Sequence, residues 1–339
     1  MELGVYSFGD TSIDPATGKH FSPERSIKLL LERIKLADEV GLDYFGVGEH
    51  HRPDFPVSAP AIVLAAAAAI TKRIRLGSSV TVLSTEDPVR VFQQFAEIDL
   101  ISGGRAEITV GRGSFIESFP LFGEDLADYN ELFEEKLELL MKLNGENPIT
   151  WRGRFRAPLK DAHVWPRPFR GELPLWIGTG GTAESSARAG RLGLDAIYAI
   201  IGGYPARFAT LVDYYRDHAK AAGHDPSKMR VGVAGFGLVG DNAREAKETM
   251  FPAWMHSMQQ IAAERGFAVP SRQAWDAQAN GDGAFIVGDA NEVADRILRL
   301  REKLGHDRHI LQMDGGFIDH LTVMKSIELL GSKVKPQLG

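Results

Sequence analysis

The chain has 339 residues, 44% of them hydrophobic and 25% charged, with a net charge of −6 and no cysteine. These proportions give a globular chain with ample core, and the lack of cysteine excludes disulfides, thiol nucleophiles and cysteine metal sites. The acidic balance, without a basic stripe carrying interleaved aromatics, argues against a nucleic-acid surface.

Apolar β-rich runs and helical patterns alternate from one end to the other. Met1-Glu2-Leu3-Gly4-Val5-Tyr6 has no basic stretch followed by a long apolar one, so no secretory signal is expected. Leu3 to Phe8 reads as a first strand. Ser22-Pro23-Glu24 then opens a helix with an N-cap, a proline at the first helical position and an acid in the first turn. Ile27, Leu30, Leu31 and Ile34 form its one-sided apolar stripe, and Gly41 ends it. A strand from Tyr44 to Gly48, a helix from about Ser58 to Thr71 and a strand from Ile74 to Leu83 follow. Ala61 to Ile70, the most apolar run, is too short to cross a bilayer, and the expectation is a soluble cytoplasmic protein. Asp87-Pro88 caps the next helix, with Val91, Phe92, Phe95 and Ile98 inward and Ser102-Gly103-Gly104 as its stop. The strand Ala106 to Val110 and a helix from about Leu126 to Leu143 close the first half.

The second half continues the alternation: strand Leu175 to Ile177, helix Ala183 to Arg191, strand Ala196 to Ile200 and helix Ala206 to Ala222. Strand Arg230 to Val239 and helix Ala243 to Gln260 come next. Helix Asn291 to Leu304, strand Ile310 to Met313 and helix Leu321 to Leu330 end the chain. Eight strands, seven followed directly by a helix, predict an α/β fold: a single (β/α)8 TIM barrel spanning residues 1–339 rather than an open doubly wound sheet. Two segments break the rhythm. Residues 144–173, after the fourth β-α unit, carry Trp151, Trp165, Pro166 and Pro168. Residues 251–285, around the seventh, are aromatic, Met-rich and then polar. Both are expected to be irregular insertion or lid segments.

In such a barrel, chemistry gathers at the C-terminal ends of the strands. The most informative is Pro174-Leu175-Trp176-Ile177-Gly178-Thr179-Gly180-Gly181-Thr182-Ala183-Glu184-Ser185-Ser186. A strand feeding a Gly-rich turn and a helix N-terminus presents free N–H groups to a phosphate; a purely structural turn is the other reading. Gly178-x-Gly180-x-x-Ala183 also fits a dinucleotide fingerprint. That fingerprint needs an acid ending the next strand, whereas Asp195 begins it.

Gly48-Glu49-His50-His51-Arg52 ends the second strand and suggests metal at first sight. Neighbouring strand residues point to opposite faces, H-E-x-x-H is absent, and the other histidines are scattered. One histidine at the mouth suits acid–base work near neutral pH, or it packs a turn. Arg112, between Gly111 and Gly113, can grip a phosphate bidentately; alternatively it pairs with Glu107 or Glu117. The third strand ends in Ser78-Ser79-Val80-Thr81-Val82-Leu83-Ser84-Thr85, the fourth in Gly111-Arg112-Gly113-Ser114 and the eighth in Met313-Asp314-Gly315-Gly316.

Together these strand ends resemble the bacterial luciferase-like flavin monooxygenase family. Gly-Glu-His-His at 48–51, Arg75 to Thr85 with Asp87-Pro88-Val89-Arg90, Leu100 to Arg105 and Val110-Gly111-Arg112-Gly113 carry the likeness. So do Trp165-Pro166-Arg167-Pro168, the Gly-Gly-Thr-Ala-Glu-Ser turn, and Val287-Gly288 before the helix from Asn291. The resemblance implies an FMN-using barrel, frequently a homodimer, with a lid around the seventh unit and a non-proline cis peptide near Ser79-Val80. It implies that His50 is the catalytic histidine beside the flavin. Arg112, Glu184 (through its backbone N–H) and Ser185 are implied to bind phosphate, with Glu49, Ser79, Val80, Gly180, Gly181 and Thr182 completing the cofactor contacts. His51 is expected to point elsewhere unless the loop reverses the choice. The family's further phosphate hydroxyl, one helical turn beyond Ser185, is Arg188 here. The implied reaction is O2-dependent oxygenation of a small organic substrate through a flavin hydroperoxide. Reduced FMN (FMNH2) would come from a separate flavin reductase. A deazaflavin (F420)-dependent oxidoreductase of the same fold, a non-catalytic flavin-binding protein and a metal-dependent barrel hydrolase are the alternatives; no metal, nucleic-acid or membrane partner is expected.

Overall fold

The structure, a computed structural model, describes residues 1–11, 17–113, 115–266, 268–315 and 318–339. In chain order the first elements are β1 (Glu2–Ser7), α1 (Pro23–Glu39), β2 (Tyr44–Val47), α2 (Pro60–Ile70), β3 (Arg75–Ser78), β4 (Thr81–Val82), α3 (Pro88–Ser102) and β5 (Ala106–Gly111). Next come α4 (Ser118–Phe122), α5 (Tyr129–Gly145), β6 (Ile149–Trp151), β7 (Leu159–Ala162), β8 (Leu175–Thr179), α6 (Ala183–Leu192), β9 (Asp195–Ile200) and α7 (Phe208–Ala221). The last are β10 (Val231–Val239), α8 (Ala243–Arg265), α9 (Arg272–Ala279), β11 (Ile286–Gly288), α10 (Ala290–Leu304), β12 (Arg308–Gln312) and α11 (His320–Leu329).

The eight-stave parallel barrel closes in the order β1-β2-β3-β5-β8-β9-β10-β12 and back to β1. β4 continues the third stave beyond a cis Ser79-Val80 peptide and pairs with β5, and β11 extends beside the end of β10. The expected cis bond is therefore present, and it splits the single strand read from Ile74 to Leu83. Helices start where the sequence signals them: Ser22 Oγ accepts from Arg25 N–H, and Asp87 Oδ1 accepts from Val89 and Arg90 N–H.

Inside the barrel, Tyr6, Tyr44, Trp176, Ile197, Ala234 and Ile310 pack together. Beneath them lies an ionic floor. Arg308 donates to both oxygens of Glu107, at 2.6 and 3.1 Å, and both side chains are fully buried. Arg75 also donates to Glu107, and Arg308 reaches Glu2 at 2.7 Å. The Arg308 guanidinium lies 4.4 Å from the ring centroids of both Tyr44 and Trp176. Glu107 is thus at the opposite end from the mouth, which corrects the reading that paired it with Arg112.

Both interrupting segments are more regular than their sequences suggest. Residues 144–173 include the antiparallel β6–β7 hairpin and run down α3. Arg156 pairs with Asp87, the Trp165 carbonyl accepts from Gln93, and Phe169 N–H donates to Asp99. In 251–285, α8 continues through Pro252, although an interior proline removes a helical hydrogen bond. Tertiary packing supports it, because Trp254, Trp275 and Phe285 lie with ring centroids 5.3 to 5.7 Å apart. Arg296 of α10 donates to the carbonyls of Gln278, Ala279 and Gly283, tying the end of α9 down. No helix among the described residues is long and apolar enough to cross a membrane.

Candidate active site

Four neighbouring staves, β2, β3, β5 and β8, bring the sequence-predicted residues to one arc of the mouth. At about 4.8 Å per inter-strand step the arc spans about 14 Å. That length suits an extended ligand with a phosphate at one end.

The phosphate end is built on α6. Thr182 is its N-cap: its Oγ1 accepts from Ser185 N–H at 3.3 Å and donates to Ser185 Oγ at 2.9 Å. Arg112 Nη2 donates to the same Ser185 Oγ at 3.2 Å, and its Nη1 to Asn130 Oδ1 at 2.7 Å. Among the described residues, no carboxylate lies within ion-pair distance of Arg112, so neither Glu107 nor Glu117 neutralises it. An unpaired guanidinium beside the dipole-positive end of a helix favours an anion. Gly181 has a φ of +86°, while a Cβ at Gly180 would meet nothing within 4 Å, leaving room over the turn. Glu184 turns its carboxylate outward and is 78% exposed, leaving its backbone toward the turn.

Arg188 is fully engaged elsewhere. Glu134 of α5 accepts from its Nη2 at 2.8 Å and Glu184 at 3.5 Å, which fastens α6 to α5. The sequence reading missed Tyr129 and Asn130 at the start of α5. Tyr129 OH donates to the Gly113 carbonyl at 2.8 Å and its ring lies 5.3 Å from the Arg112 guanidinium. Nothing short of the α5–β5 contact could have revealed them.

In the middle of the arc, Val80 fits over two glycines: a Cβ on Gly111 would come 2.6 Å from Val80 Cγ2, and one on Gly178 3.2 Å from Cγ1. Ser79 is turned into the barrel, its Oγ 3.2 Å from Tyr44 OH.

At the far end, the two histidines part company. His50 Nδ1 lies 3.2 Å from Glu117 Oε1, and its ring is packed by Phe8, Phe55 and Phe115 with centroids at 4.6, 4.6 and 4.8 Å. His51 Nε2 donates to Glu49 Oε1 at 3.0 Å, and Glu49 Oε2 accepts from Val82 N–H at 3.0 Å. Glu49, expected as a cofactor contact, is a buried brace between His51 and the third stave. That hydrogen bond raises the affinity of His51 for its proton, outweighing burial. Burial, aided by the Glu49 charge, pushes the Glu86 carboxyl up. Among the described residues no group of three or more His, Asp or Glu side chains could hold a metal ion. Ser114 and Gly316, which follow the fourth and eighth staves, lie outside the described residues.

The family model for luciferase-like monooxygenases matches residues 1–308. The chain is 28% identical over 322 residues to the 4-hydroxyprotoasukamycin monooxygenase of Streptomyces nodosus subsp. asukaensis, covering 91% of this chain and 85% of that protein. The crystal structure of monooxygenase RslO1 from Streptomyces bottropensis matches at a TM-score of 0.86 and 24% identity, over 100% of both chains. The oxygenating constituent of 3,6-diketocamphane monooxygenase from the CAM plasmid of Pseudomonas putida, solved with FMN, matches at 0.77 and 20% identity, over 100% of this chain and 99% of that one. Those two structural likenesses speak to the fold.

Proposed function

The chain belongs to the luciferase-like monooxygenase family of enzymes, and from that premise we propose that it oxygenates a small organic substrate with O2, using reduced FMN from a separate reductase. The observation that carries this reading is the unpaired Arg112 with Ser185 and the α6 N-terminus at one end of an arc that ends in His50. A guanidinium, two hydroxyls and first-turn amides are the donor set for a phosphate monoester such as that of FMN. When bound, the reduced flavin supplies the electrons that activate oxygen. Val80 offers an apolar wall above Gly111 and Gly178, and Phe8, Phe55 and Phe115 keep water from His50, which holds or moves a proton at Nε2. Asp195, the only acid of β9, pairs with Arg230 at 2.8 Å, so no ribose-binding acid supports an internal nicotinamide site. In this reading a separate reductase is the electron source.

Titration of FMN monitored by flavin fluorescence tests the site. Arg112→Ala removes a charge-assisted pair of about 1.5–3 kcal/mol and is expected to weaken binding about 10- to 150-fold. Unchanged affinity would place the phosphate elsewhere. The absorbance of the co-purifying cofactor separates FMN from a deazaflavin, and oxygen uptake with reduced FMN and candidate substrates separates an enzyme from a flavin carrier.

The structure also supports a homodimer, which we propose forms through α2 and α3. The outer face of α2 presents Ile62, Ala66, Ala69 and Ile70 without a charge, and α3 adds Leu100 and Ile101. Nearby on the segment lying along α3, Trp165 and Phe169 are 60% and 59% exposed. Apolar area of this kind on a folded chain marks a partner surface. Sedimentation equilibrium is expected to give a dimer for the native chain and a monomer for Ile62→Glu/Ile101→Glu; a monomeric native chain refutes the interface.

A further inference from the structure

Glu117 carries a role that the arc alone does not explain. Its Oε1 is the only hydrogen-bond partner of the His50 ring among the described residues, at 3.2 Å from Nδ1. The imidazole is 9% exposed and the carboxylate 23%. Three aromatic rings clamp the plane of the imidazole and offer it no competing acceptor. Burial pushes the Glu117 carboxyl up, but the bond to His50 and bonds from backbone N–H groups outweigh it and hold the group below the usual carboxylate range. An ionised carboxylate has no proton to give, so Nδ1 must be the donor. In the neutral ring that leaves Nε2 as a bare lone pair, and it is not among the sealed, unsatisfied atoms of the protein. The loop bearing Glu117 is itself fastened to the phosphate end: Phe119 stacks on Tyr129 at 5.6 Å, and Tyr129 holds Gly113.

We propose that Glu117 is a positioning residue that fixes the tautomer of His50, keeping the proton on Nδ1 and the Nε2 lone pair available at the barrel mouth. The proposal rests on the reading of His50 as the acid–base group. The physical logic is that of any carboxylate–imidazole pair in which the buried acceptor selects which ring nitrogen faces the reactant. Without that acceptor, a neutral imidazole reverts to carrying its proton on Nε2, and the nitrogen facing the mouth turns from acceptor to donor.

The test reads imidazole nitrogens by ¹⁵N NMR in the ligand-free protein, at a pH where the ring is neutral. His50 of the native chain is expected in the Nδ1–H form and that of Glu117→Leu in the Nε2–H form. A native-like far-UV circular dichroism spectrum and a cooperative thermal transition report an intact fold, because the Nε2–H form expected of His51 against Glu49 is also that of an unfolded imidazole. A native His50 already protonated on Nε2, or an unchanged tautomer in Glu117→Leu, overturns the proposal, and the native spectrum decides even if the variant does not fold. In turnover, Glu117→Leu is expected to lower kcat about 100-fold or more while FMN affinity stays within about threefold. A switched tautomer with unaltered kcat would leave the pair standing and overturn instead the acid–base reading of His50.

Discussion

His50→Ala is expected to lower substrate oxygenation about 100-fold or more, the usual scale for an acid–base group, while leaving FMN affinity near that of the native chain. The affinity is expected to survive because Arg112 sits two staves away and Thr182 and Ser185 three, and none of them shares a hydrogen bond with His50. His51→Ala should behave differently. Its partner Glu49 keeps the bond to Val82 N–H, so the third stave holds its place and the main loss is one hydrogen bond to a charged group, about 1.5–3 kcal/mol of stability. The comparison to make is coupled product against released hydrogen peroxide in both variants, alongside flavin titration. If His51→Ala uncouples and His50→Ala does not, the roles are reversed; if neither changes coupling, both histidines serve only the fold.

Glu107→Ala is expected to be the most destabilising single change at the barrel floor, by about 3–5 kcal/mol. Removing one member of a buried pair leaves the other charge stranded. Here Arg308, fully buried against Tyr44 and Trp176, would keep only Glu2. Replacing both partners, as Glu107→Leu/Arg308→Met, should recover much of the loss because no charge then remains unpaired. Urea unfolding of the three proteins checks this; a double variant as unstable as the single one would show that packing, not the stranded charge, sets the cost.

The pair also shapes acid stability. Although burial pushes the Glu107 carboxyl up, Arg308 and Arg75 hold it down to about 2. A folded-state value below the unfolded one stabilises the protein above about pH 4.5 and loses that contribution as pH falls through about 2. The buried pair His306 and His309, 3.1 Å apart, acts earlier. Burial holds His306 down to about 4 and His309 well below its ordinary value. The unfolded chain therefore takes up protons below about pH 6.5 that the folded chain refuses, so stability falls from pH 6.5 toward 4. Unfolding free energy against pH should show both windows in the native chain and only the upper one in Glu107→Ala.

The barrel was legible in the sequence because its signals are local. Stripe spacing in α1, the caps at Ser22 and Asp87, and the Gly-Gly-Thr turn with Thr182 capping α6 each involve bonds spanning two or three residues. The strand-end positions of His50 and Arg112 follow from the same local pattern, since a stave's end lies at the mouth wherever its neighbours fall. The partners of the charged groups were not legible. His50 meets Glu117, Arg188 meets Glu134, and Glu107 meets Arg308 across 67, 54 and 201 residues. The continuation of α8 through Pro252 belongs with them, because the packing of Trp254 on Trp275 and Phe285 outweighs a local breaker. Periodicity says which face of an element is buried. Which charge or ring stands opposite is decided only when the sheet closes and sets one stave's residues against another's.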